Sequence, residues 1–389
     1  MNIKVLHTKV QDFIFSYKDD TSKLAFSGSP FEGVTVQELI QQIESRRKVE
    51  KKLPTWFNLN TTYYPPKLNL EQASSEVTAK YKSSLFNGTK MADITGGFGV
   101  DSFYFSENFE SVHHFELNDT LSEITKHNFE YFGKQNILCF AEDGMKQLTK
   151  SNYDLIYVDP SRRHNTKGKV FFLRDCEPNI PENLSVLLNH CDTLLLKTSP
   201  MLDISAGLNE LEFVTQIHIV AVNNEVKELL WFLRKGFLGI PEIKTINICK
   251  NSTEAFNFVS NRKFQVEYSP PEAFLYEPNA AIMKSGAFDL VSEEYKIKKL
   301  HKNTQLYTSL ELTDFPGRRF SIIQVIPYTR TSVLANLKVK KANITIRNFP
   351  EDVVTLRKKW KIKDGGEQYL FFATLETNKK VILVCTKVE

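Results

Sequence analysis

The sequence is poor in cysteine and has no long apolar run. Its five cysteines are odd in number, and none are spaced as Cys-x-x-Cys, so we expect free thiols rather than a disulfide framework or a metal site. No stretch of about 18 apolar residues suggests a membrane span. Residues 1–15, MNIKVLHTKVQDFIF, place lysines and an aspartate among apolar residues, unlike a signal peptide. We therefore expect a cytoplasmic protein without a membrane segment.

Internal repeats and low-complexity linkers are also missing, while the length of 389 residues exceeds that of a usual single domain. Charge is distributed unevenly along this length. Residues 1–290 contain 31 Lys+Arg and 36 Asp+Glu, whereas residues 291–389 contain 19 and 10. A basic module of this kind is expected to contact phosphate groups, although a solvated lysine-rich surface gives the same composition.

Hydrophobic periodicity divides the chain into regions. Residues 1–88 are predicted to be mainly helical, with one helix from Val36 to Glu50 and another over residues 70–86. Short apolar strands then alternate with helical segments, which predicts a doubly wound α/β sheet over residues 89–268 with helices on both faces. Within it, residues 228–239 (ELLWFLRKGFLG) are predicted as a helix that ends at glycine.

The remaining residues form a small α+β region in this interpretation. We divide it into segments 269–330 and 331–389, and expect an antiparallel hairpin that closes near Thr377-Asn378. The run RKKWKIK (residues 357–363), with Phe349 and Trp360, agrees with a surface that follows phosphates and stacks on bases. A helix with a solvated lysine face and a buried tryptophan is the structural alternative.

The stretch MADITGGFGVDSF (residues 91–103) lies where the first strand of the predicted sheet turns into a helix. Ligands of open α/β sheets bind outside the carboxyl ends of the strands, and a glycine-rich first turn lets the backbone approach them. We expect Gly96, Gly97 and Gly99 to form this turn and Asp93 to orient it. The stretch therefore predicts a ligand site.

Acidic residues follow the next two predicted strands. Glu116 comes 17 residues after Gly99, where a carboxylate can accept hydrogen bonds from both hydroxyls of a ribose. Asp143 follows the third strand and can accept a hydrogen bond from the exocyclic amine of an adenine. Each acid alone could be a solvated loop carboxylate, but the ordered set of turn and two acids favours a nucleoside-containing ligand.

This ordered set resembles the class I S-adenosylmethionine-dependent methyltransferases over about residues 70–260. A Rossmann dehydrogenase is the competing interpretation, and we expect Asp101, next to the turn, to repel a pyrophosphate and tolerate a cationic sulfonium. The resemblance implies that S-adenosylmethionine is the cofactor. It also implies that Ser75 and Thr78 donate hydrogen bonds to the carboxylate of this cofactor, although helix capping is the commoner role of such hydroxyls.

The fourth strand ends in YVDPSRRH (residues 157–164). Asp159 and Pro160 resemble the Asp/Asn-Pro-Pro-aromatic motif of methyltransferases that act on base amines, but the aromatic ring is missing. The string is also similar to the Asp-Pro-Pro-Arg of RNA pyrimidine C5-methyltransferases, which need a cysteine after strand five; here that strand ends LLLKTSPM. Arg162 and Arg163 either contact an anion at the mouth of the site or are ordinary surface arginines.

Lys197 lies in the same LLLKTSPM string, near the end of an apolar strand. Its side chain either lines the same cleft as the DPSRR string or extends from the edge of the sheet into solvent.

Over its whole length the chain resembles a family of bacterial methyltransferase-like proteins with a DPSRR motif and a ferredoxin-like plus THUMP-like tail. LEQASSEVTAKYK, DITGGFGVD, YVDPSRR, YEPNAAIMKSGAF and NITIRNFP carry the resemblance, with KIKDGGEQYLF near the end. It assigns residues 269–330 to the ferredoxin-like and 331–389 to the THUMP-like segment. Because THUMP domains bind RNA in RNA-modifying enzymes, the resemblance implies a tRNA or rRNA substrate.

The sequence thus predicts a methyltransferase with Asp159, Pro160 and Arg162 at the catalytic position. Two alternatives stay open. The missing ring after Pro160 favours an RNA-binding scaffold that has lost catalysis, and a small molecule or protein could be the methyl acceptor instead of RNA.

Overall fold

The structure, a computed structural model, describes residues 1–59, 61–162, 172–259 and 266–388. Its chain divides into two compact units. The first contains residues 1–217 and 227–239, and the second contains residues 218–226 and 240–389. Among the described residues, no helix has both the length and the apolar character that crossing a membrane requires.

The first unit begins with six helices, which confirms the helical prediction for this region. They are α1 (Thr8–Ser16), α2 (Thr21–Ser27), α3 (Val36–Lys52), α4 (Pro54–Phe57), α5 (Lys67–Gln72) and α6 (Glu76–Ser83). α3 begins with a capping box, in which the Thr35 hydroxyl and the Glu38 carboxylate satisfy each other's backbone N–H. Leu39, Ile43 and Val49 on one face of the helix are buried.

The single helix predicted over residues 70–86 is wrong in detail, because the chain breaks between α5 and α6. Ala73 at the end of α5 and Ser75 before α6 are both extended. The Ser75 hydroxyl accepts the Thr78 backbone N–H at 3.2 Å, so a new helix starts there. Serine competes with the helical backbone for hydrogen bonds, which explains why periodicity alone did not reveal the break.

An α/β layer with seven strands of a nine-stranded sheet follows in the chain and confirms the predicted fold class. In chain order its elements are β1 (Gly88–Asp93), α7 (Val100–Phe105), β2 (Phe109–Phe115), α8 (Asp119–Tyr131), β3 (Ile137–Phe140), α9 (Gly144–Gln147), β4 (Tyr153–Val158), β5 (Ser161–Arg162), β6 (Cys176–Glu177), α10 (Ile180–Asn189), β7 (Cys191–Thr198), α11 (Ile204–Glu210), β8 (Val214–Val222) and β9 (Glu225–Leu233). The strand order is β8-β9-β7-β4-β1-β2-β3, and β5 pairs with β6 apart from it. The division between the units crosses β8 and β9.

The helix predicted over residues 228–239 is wrong: residues 225–233 form β9, antiparallel to β7. All five residues from Leu229 to Leu233 are buried, as a central strand requires, whereas a surface helix would leave one face polar. Asn223 and Asn224 both have positive φ, 49° and 65°, and form the two-residue turn between β8 and β9. This asparagine pair was the sequence signal for a hairpin.

The second unit contains the β10–β11 hairpin and a seven-stranded sheet. Its elements are β10 (Glu242–Ile248), β11 (Thr253–Val259), β12 (Phe274–Pro278), α12 (Ala280–Ser285), α13 (Phe288–Glu294), β13 (Lys298–Lys299), β14 (Tyr307–Ser309), β15 (Gly317–Pro327), α14 (Arg330–Asn336), β16 (Lys341–Arg347), α15 (Val353–Trp360), β17 (Lys363–Thr374) and β18 (Lys380–Val388). The order of the sheet is β13-β14-β12-β15-β18-β17-β16. β17 and β18 pair antiparallel around Asn378, as predicted.

Both faces of the second sheet are buried. One face packs Phe320, Phe371 and Leu383 into a core, and the other packs Ile382 and Leu356. Phe349 and Trp360 are half-buried and pack against this second core, which favours the structural alternative for these aromatic residues.

An ion-pair cluster accompanies these cores. Glu277 of β12, with a side chain 4% exposed, pairs with Arg318 and with Arg347 of β16.

Candidate active site

The strand order of the sheet in the first unit reverses between β1 and β4. β2 and β3 lie on one side of β1, and β4 and β7 lie on the other. All five strands are parallel, so their carboxyl ends lie along one edge of the sheet. Ligands of open α/β sheets bind at this edge, where the strand order reverses. The side chains that follow these strands therefore form the candidate site.

The glycine turn after β1 uses its three glycines in different ways. A Cβ atom on Gly96 would lie 2.1 Å from Cε1 of His114, and one on Gly99 would lie 2.5 Å from Cζ of Phe129. These two glycines therefore let the turn pack closely on its neighbours. Gly97 has φ +56°, and the nearest atom to its ideal Cβ position, the Thr95 carbonyl oxygen, is 3.8 Å away. Gly97 is thus the glycine whose backbone is open to a ligand.

Glu116 follows β2 and lies beside this turn. Its Oε2 accepts the Gly97 backbone N–H at 2.9 Å, and its Oε1 accepts the Asn118 N–H at 2.7 Å. The side chain is half-buried. The structure therefore brings Glu116 to the open glycine, and each carboxylate oxygen keeps a lone pair for a further donor.

Asp143 follows β3 and begins α9. It accepts the Met145 N–H at 3.1 Å and pairs with Lys146 at 3.4 Å. A Cβ on the next residue, Gly144, would lie 2.7 Å from Cβ of Ile94, so this turn packs directly against the end of β1. Asp143 is thus next to the glycine turn, with a side chain 33% exposed.

Asp159 follows β4 and is tied to the glycine turn by Thr95. The Asp159 N–H donates to Oγ1 of Thr95 at 2.7 Å, and the Thr95 N–H donates to Oδ1 of Asp93 at 3.2 Å. The Asp159 carboxylate forms an ion pair with Lys197, which lies near the end of the neighbouring strand β7. Lys197 therefore lines the cleft rather than extending into solvent.

The rest of the DPSRR string leaves the sheet edge. Pro160 is half-buried, and Ser161 and Arg162 form β5, which pairs with Glu177 and Cys176 of β6. The Arg162 side chain and the whole of Arg163 lie outside the described residues.

A buried polar chain lies beneath the glycine turn. The Ser102 hydroxyl donates to Oδ2 of Asp93 at 2.7 Å and lies 3.0 Å from Nδ1 of His114. Burial raises the pKa of Asp93 to about 7, although the hydrogen bonds from Ser102 and Thr95 favour its charged form. Burial lowers the pKa of His114 to about 3, so its ring is neutral at physiological pH. Asp93 therefore supports the turn from inside, as expected, and its binding role stays a prediction.

A second buried cluster joins α6 to the sheet. The Lys82 ammonium is fully buried and pairs with Asp101 at 3.1 Å and with Glu228 of β9 at 2.9 Å. Ser74 and Tyr157 donate to Oδ2 of Asp101 at 2.7 and 2.9 Å. The expected repulsion of a pyrophosphate by Asp101 is therefore not supported, because Lys82 compensates the charge of Asp101 inside the protein.

Ser75 and Thr78 are occupied at the start of α6. The two hydroxyl oxygens lie 3.1 Å apart, and Thr78 also donates to the Ser75 carbonyl oxygen at 3.1 Å. These contacts give both residues the capping role that was the alternative to cofactor binding, and that binding role stays a prediction.

Comparison with known proteins bears on the fold and the C-terminal domains. Family models for a ferredoxin-like domain and a THUMP domain-like module match residues 274–316 and 317–387. The crystal structure of a "putative methyltransferase" from Porphyromonas gingivalis W83 is 32% identical, covers 100% of both chains and superposes with a TM-score of 0.91. The chain belongs to the family of this protein. This chain combines a class I methyltransferase fold with ferredoxin-like and THUMP-like C-terminal domains.

Two shorter structures match part of the chain. A methyltransferase-like protein from Streptococcus mutans, solved with S-adenosylhomocysteine, is 11% identical over 41% of this chain and 96% of its own, with a TM-score of 0.30. An rRNA methylase from Streptococcus thermophilus is 13% identical over 41% and 94%, with a TM-score of 0.31. No curated protein sequence matches the chain significantly.

Three residues of the site in this chain were not predicted from the sequence. Lys82 and Glu228 are 146 positions apart, so no local pattern connects them. Thr95 lies inside the glycine stretch, but its bond to Asp159 depends on the pairing of β1 with β4. A signal did exist for Glu228, since a single carboxylate at the start of the apolar run ELLWFL needs a buried partner.

Proposed function

We propose that this protein is an S-adenosylmethionine-dependent methyltransferase that acts on RNA, either tRNA or rRNA. One observation carries the proposal: the carboxyl edge of the sheet brings the open backbone of Gly97 next to Glu116 and, through Thr95, next to Asp159. A cofactor half and an acceptor half are thus side by side at the place where α/β sheets bind ligands. Membership of a methyltransferase-like family supports the same interpretation.

S-adenosylmethionine fits the residues at this edge. Nothing within 3.8 Å occupies the direction in which a Cβ of Gly97 would point, so the cofactor can approach that backbone. The Glu116 oxygens would accept hydrogen bonds from the ribose hydroxyls, and the partly exposed Asp143 would accept the adenine amine. When bound, this cofactor supplies a methyl group on a positively charged sulfur.

The protein contributes mainly positioning to such a transfer. Asp159 is 31% exposed and its backbone is held by Thr95, so its carboxylate has a defined place beside the turn. A nucleophile bound there would be held beside the cofactor site, which would replace a bimolecular encounter with a fixed arrangement. Asp159 would accept the hydrogen bond, or the proton, of that nucleophile.

RNA as the acceptor is supported by the second unit. Residues 291–389 contain 19 Lys+Arg against 10 Asp+Glu, and the lysines at 358, 361 and 363 are exposed. The THUMP domain-like match covers residues 317–387, which include these lysines. Because Phe349 and Trp360 are half-buried and pack against the core, we assign RNA affinity to these cations rather than to base stacking.

Calorimetric titration with S-adenosylmethionine tests the cofactor site. Gly97→Arg and Asp143→Ala should each abolish binding. Gly133→Arg is the matched control, because Gly133 has a similar φ of +70°, has no atom within 4 Å of its Cβ position, and lies before β3 at the opposite edge of the sheet. Normal binding by both site variants would overturn the assignment.

Transfer of a radiolabelled methyl group to total RNA from cells that lack the protein tests the acceptor. Incorporation that ribonuclease removes supports an RNA substrate. Labelling that survives ribonuclease would identify a protein or small-molecule acceptor. Tight RNA binding without incorporation would identify a scaffold, and RNA affinity that is insensitive to salt would contradict binding by the basic tail.

A further inference from the structure

A lysine and an aspartate share the acceptor side of the site. Asp159 directly follows β4, and Lys197 is the penultimate residue of the neighbouring parallel strand β7. Their side chains are in contact and are 31% and 13% exposed. A substrate that reaches Asp159 therefore also meets the Lys197 ammonium.

The ammonium of Lys197 is held in its charged form by carboxylates behind it. Burial alone lowers the pKa of Lys197, but attraction to Asp159, Glu228 and Asp101 outweighs burial and leaves that pKa raised. Of its three N–H bonds, one points to Oδ2 of Asp159, and in the described part of the chain the other two have no hydrogen-bond acceptor. Lys197 is thus a donor with capacity left for a ligand.

We propose that Lys197 and Asp159 together bind a hydroxyl group of the substrate, and that the methylated atom is the 2′-oxygen of a ribose in RNA. This inference rests on the proposed function and names the atom on which it acts.

The chemistry of the pair favours a hydroxyl over a base amine. A hydroxyl both donates and accepts, so it can donate to Asp159 and accept from Lys197 at the same time. The exocyclic amines of adenine and cytosine only donate hydrogen bonds. An amine placed at Asp159 would therefore point its N–H groups at the N–H groups of Lys197, with no acceptor between them. A ring carbon can do neither.

The absence of an aromatic ring points the same way. A base that presents its amine must be held flat, which is the task of the ring that follows Asp-Pro-Pro in base-amine methyltransferases. Here Pro160 is followed by an exposed serine that is paired in β5. A ribose hydroxyl lies on the backbone of the nucleic acid and needs no platform for its base. The exposed cations of the second unit would bind phosphates of the same backbone.

The reaction balances with these two residues. The hydroxyl oxygen forms a bond to the methyl carbon while the carbon–sulfur bond breaks, and that electron pair stays on sulfur as the sulfonium becomes a thioether. The hydroxyl proton moves to the Asp159 carboxylate and then to solvent. Lys197 donates a hydrogen bond to the oxygen and stabilises the negative charge that develops on it, which makes Lys197 a catalytic residue.

Alkaline hydrolysis of the labelled RNA tests the inference. Alkali cleaves RNA through the free 2′-hydroxyl, so a 2′-O-methyl group leaves an uncleaved dinucleotide. We expect the radiolabel in alkali-resistant dinucleotides. Label in mononucleotides would place the methyl on a base and overturn the inference while the proposed function stands. Absence of any label in RNA would overturn both.

Variants separate catalysis by Lys197 from its structural role. Lys197→Met should lower the transfer rate by about 100-fold, the typical effect of losing one hydrogen-bond donor to a developing anion. Its calorimetric affinity for S-adenosylhomocysteine should be unchanged, because Lys197 lies on the acceptor side. Lys197→Arg keeps the positive charge next to Asp159, so it tests the role of Lys197 even if the Met variant does not fold. It should recover part of the transfer rate.

Lys90→Met is the matched control, since Lys90 is a half-buried strand lysine near the amino end of β1, where it donates to Ser151 at 3.0 Å. It should keep the full rate. Full transfer by a folded Lys197→Met variant would refute a catalytic role for Lys197.

Discussion

The buried ammonium of Lys82 offers the sharpest test of the electrostatics beneath the site. Lys82 has an exposed fraction of 0% and Glu228 one of 2%, and the Lys82 ion pairs with Asp101 and Glu228 measure 3.1 and 2.9 Å. Lys82→Met removes the cation, keeps an unbranched side chain of helix-compatible type, and leaves two buried carboxylates without it. We predict a large loss of stability in the first unit.

The size of this stability loss can be worked out from the response of the folded variant that costs least free energy, which is the protonation of Glu228. Burial raises the pKa of Glu228 from its ordinary value of 4.5, and the loss of Lys82, which lowers that pKa, raises it further. Protonating a carboxyl group of pKa 4.5 at pH 7.5 costs about 4 kcal/mol, which agrees with the roughly 3–5 kcal/mol found when one partner of a buried pair is removed.

The sign of the pH dependence is fixed by the same reasoning. A carboxyl whose folded pKa lies above its unfolded pKa contributes stability that is present at low pH and lost as the pH rises. At pH 5 the protonation of Glu228 costs only about 0.7 kcal/mol. The difference between Lys82→Met and the wild type should therefore shrink by about 3 kcal/mol between pH 7.5 and pH 5.

Denaturant unfolding followed by tryptophan fluorescence measures this difference. Trp56 and Trp231 are fully buried in the first unit, and a Trp360→Phe background removes the signal of the second unit. Lys80→Met is the control: Lys80 is on the same helix, 55% exposed and paired with Glu76, so its loss should cost less than about 1 kcal/mol. A Lys82→Met penalty equal to that of the control, or one that grows toward pH 5, would refute the reasoning.

Three further substitutions extend the predictions. Asp93→Asn should abolish a pH dependence of stability. The pKa of Asp93 is about 7 in the folded protein against an ordinary 3.8, so its stabilising contribution is lost as the pH rises. From pH 5 to pH 8 the free energy of unfolding of the wild type should therefore fall by about 3 kcal/mol relative to that of the variant. Gly96→Ala forces a Cβ onto the His114 ring and should cost about 3 kcal/mol, seen as a lower denaturation midpoint with an unchanged slope. Glu277→Ala leaves its two arginine partners without a carboxylate and should lower the free energy of unfolding of the second unit by about 3 kcal/mol, seen as a lower transition temperature in calorimetry. An unchanged transition temperature would contradict a structural role for this cluster.

Sequence periodicity predicted the elements whose hydrophobic pattern is local. The strands that end at Asp93 or just before Glu116 and Asp159 were recognised because parallel strands are continuous apolar runs, and the residues that end or follow each run lie at the carboxyl edge. This is why the candidate positions in the glycine turn and after three strands could be named without a structure. The β17–β18 hairpin was predicted for the same reason.

The errors came from features that depend on distant partners. The run ELLWFL is equally apolar as a helix or as a strand, and only its position between β7 and β8 decides for β9. Asp101 follows the glycine turn in sequence, yet Lys82 turns its charge toward the interior. A carboxylate at a predicted loop cannot be assigned to a ligand before its possible buried partners are known.

The two buried lysines connect these observations into one electrostatic arrangement. Lys82 extends from α6 to Glu228 on β9, and the charge of Glu228 also acts on Lys197, which holds Asp159 at the site. The docking of the helix before the sheet and the charge state of the acceptor side are therefore coupled through Glu228. If Lys82→Met drives Glu228 to its neutral form, Lys197 loses one of the carboxylates that keep it charged. Methyl transfer by this variant should then decline at high pH earlier than in the wild type, even at temperatures where the protein stays folded.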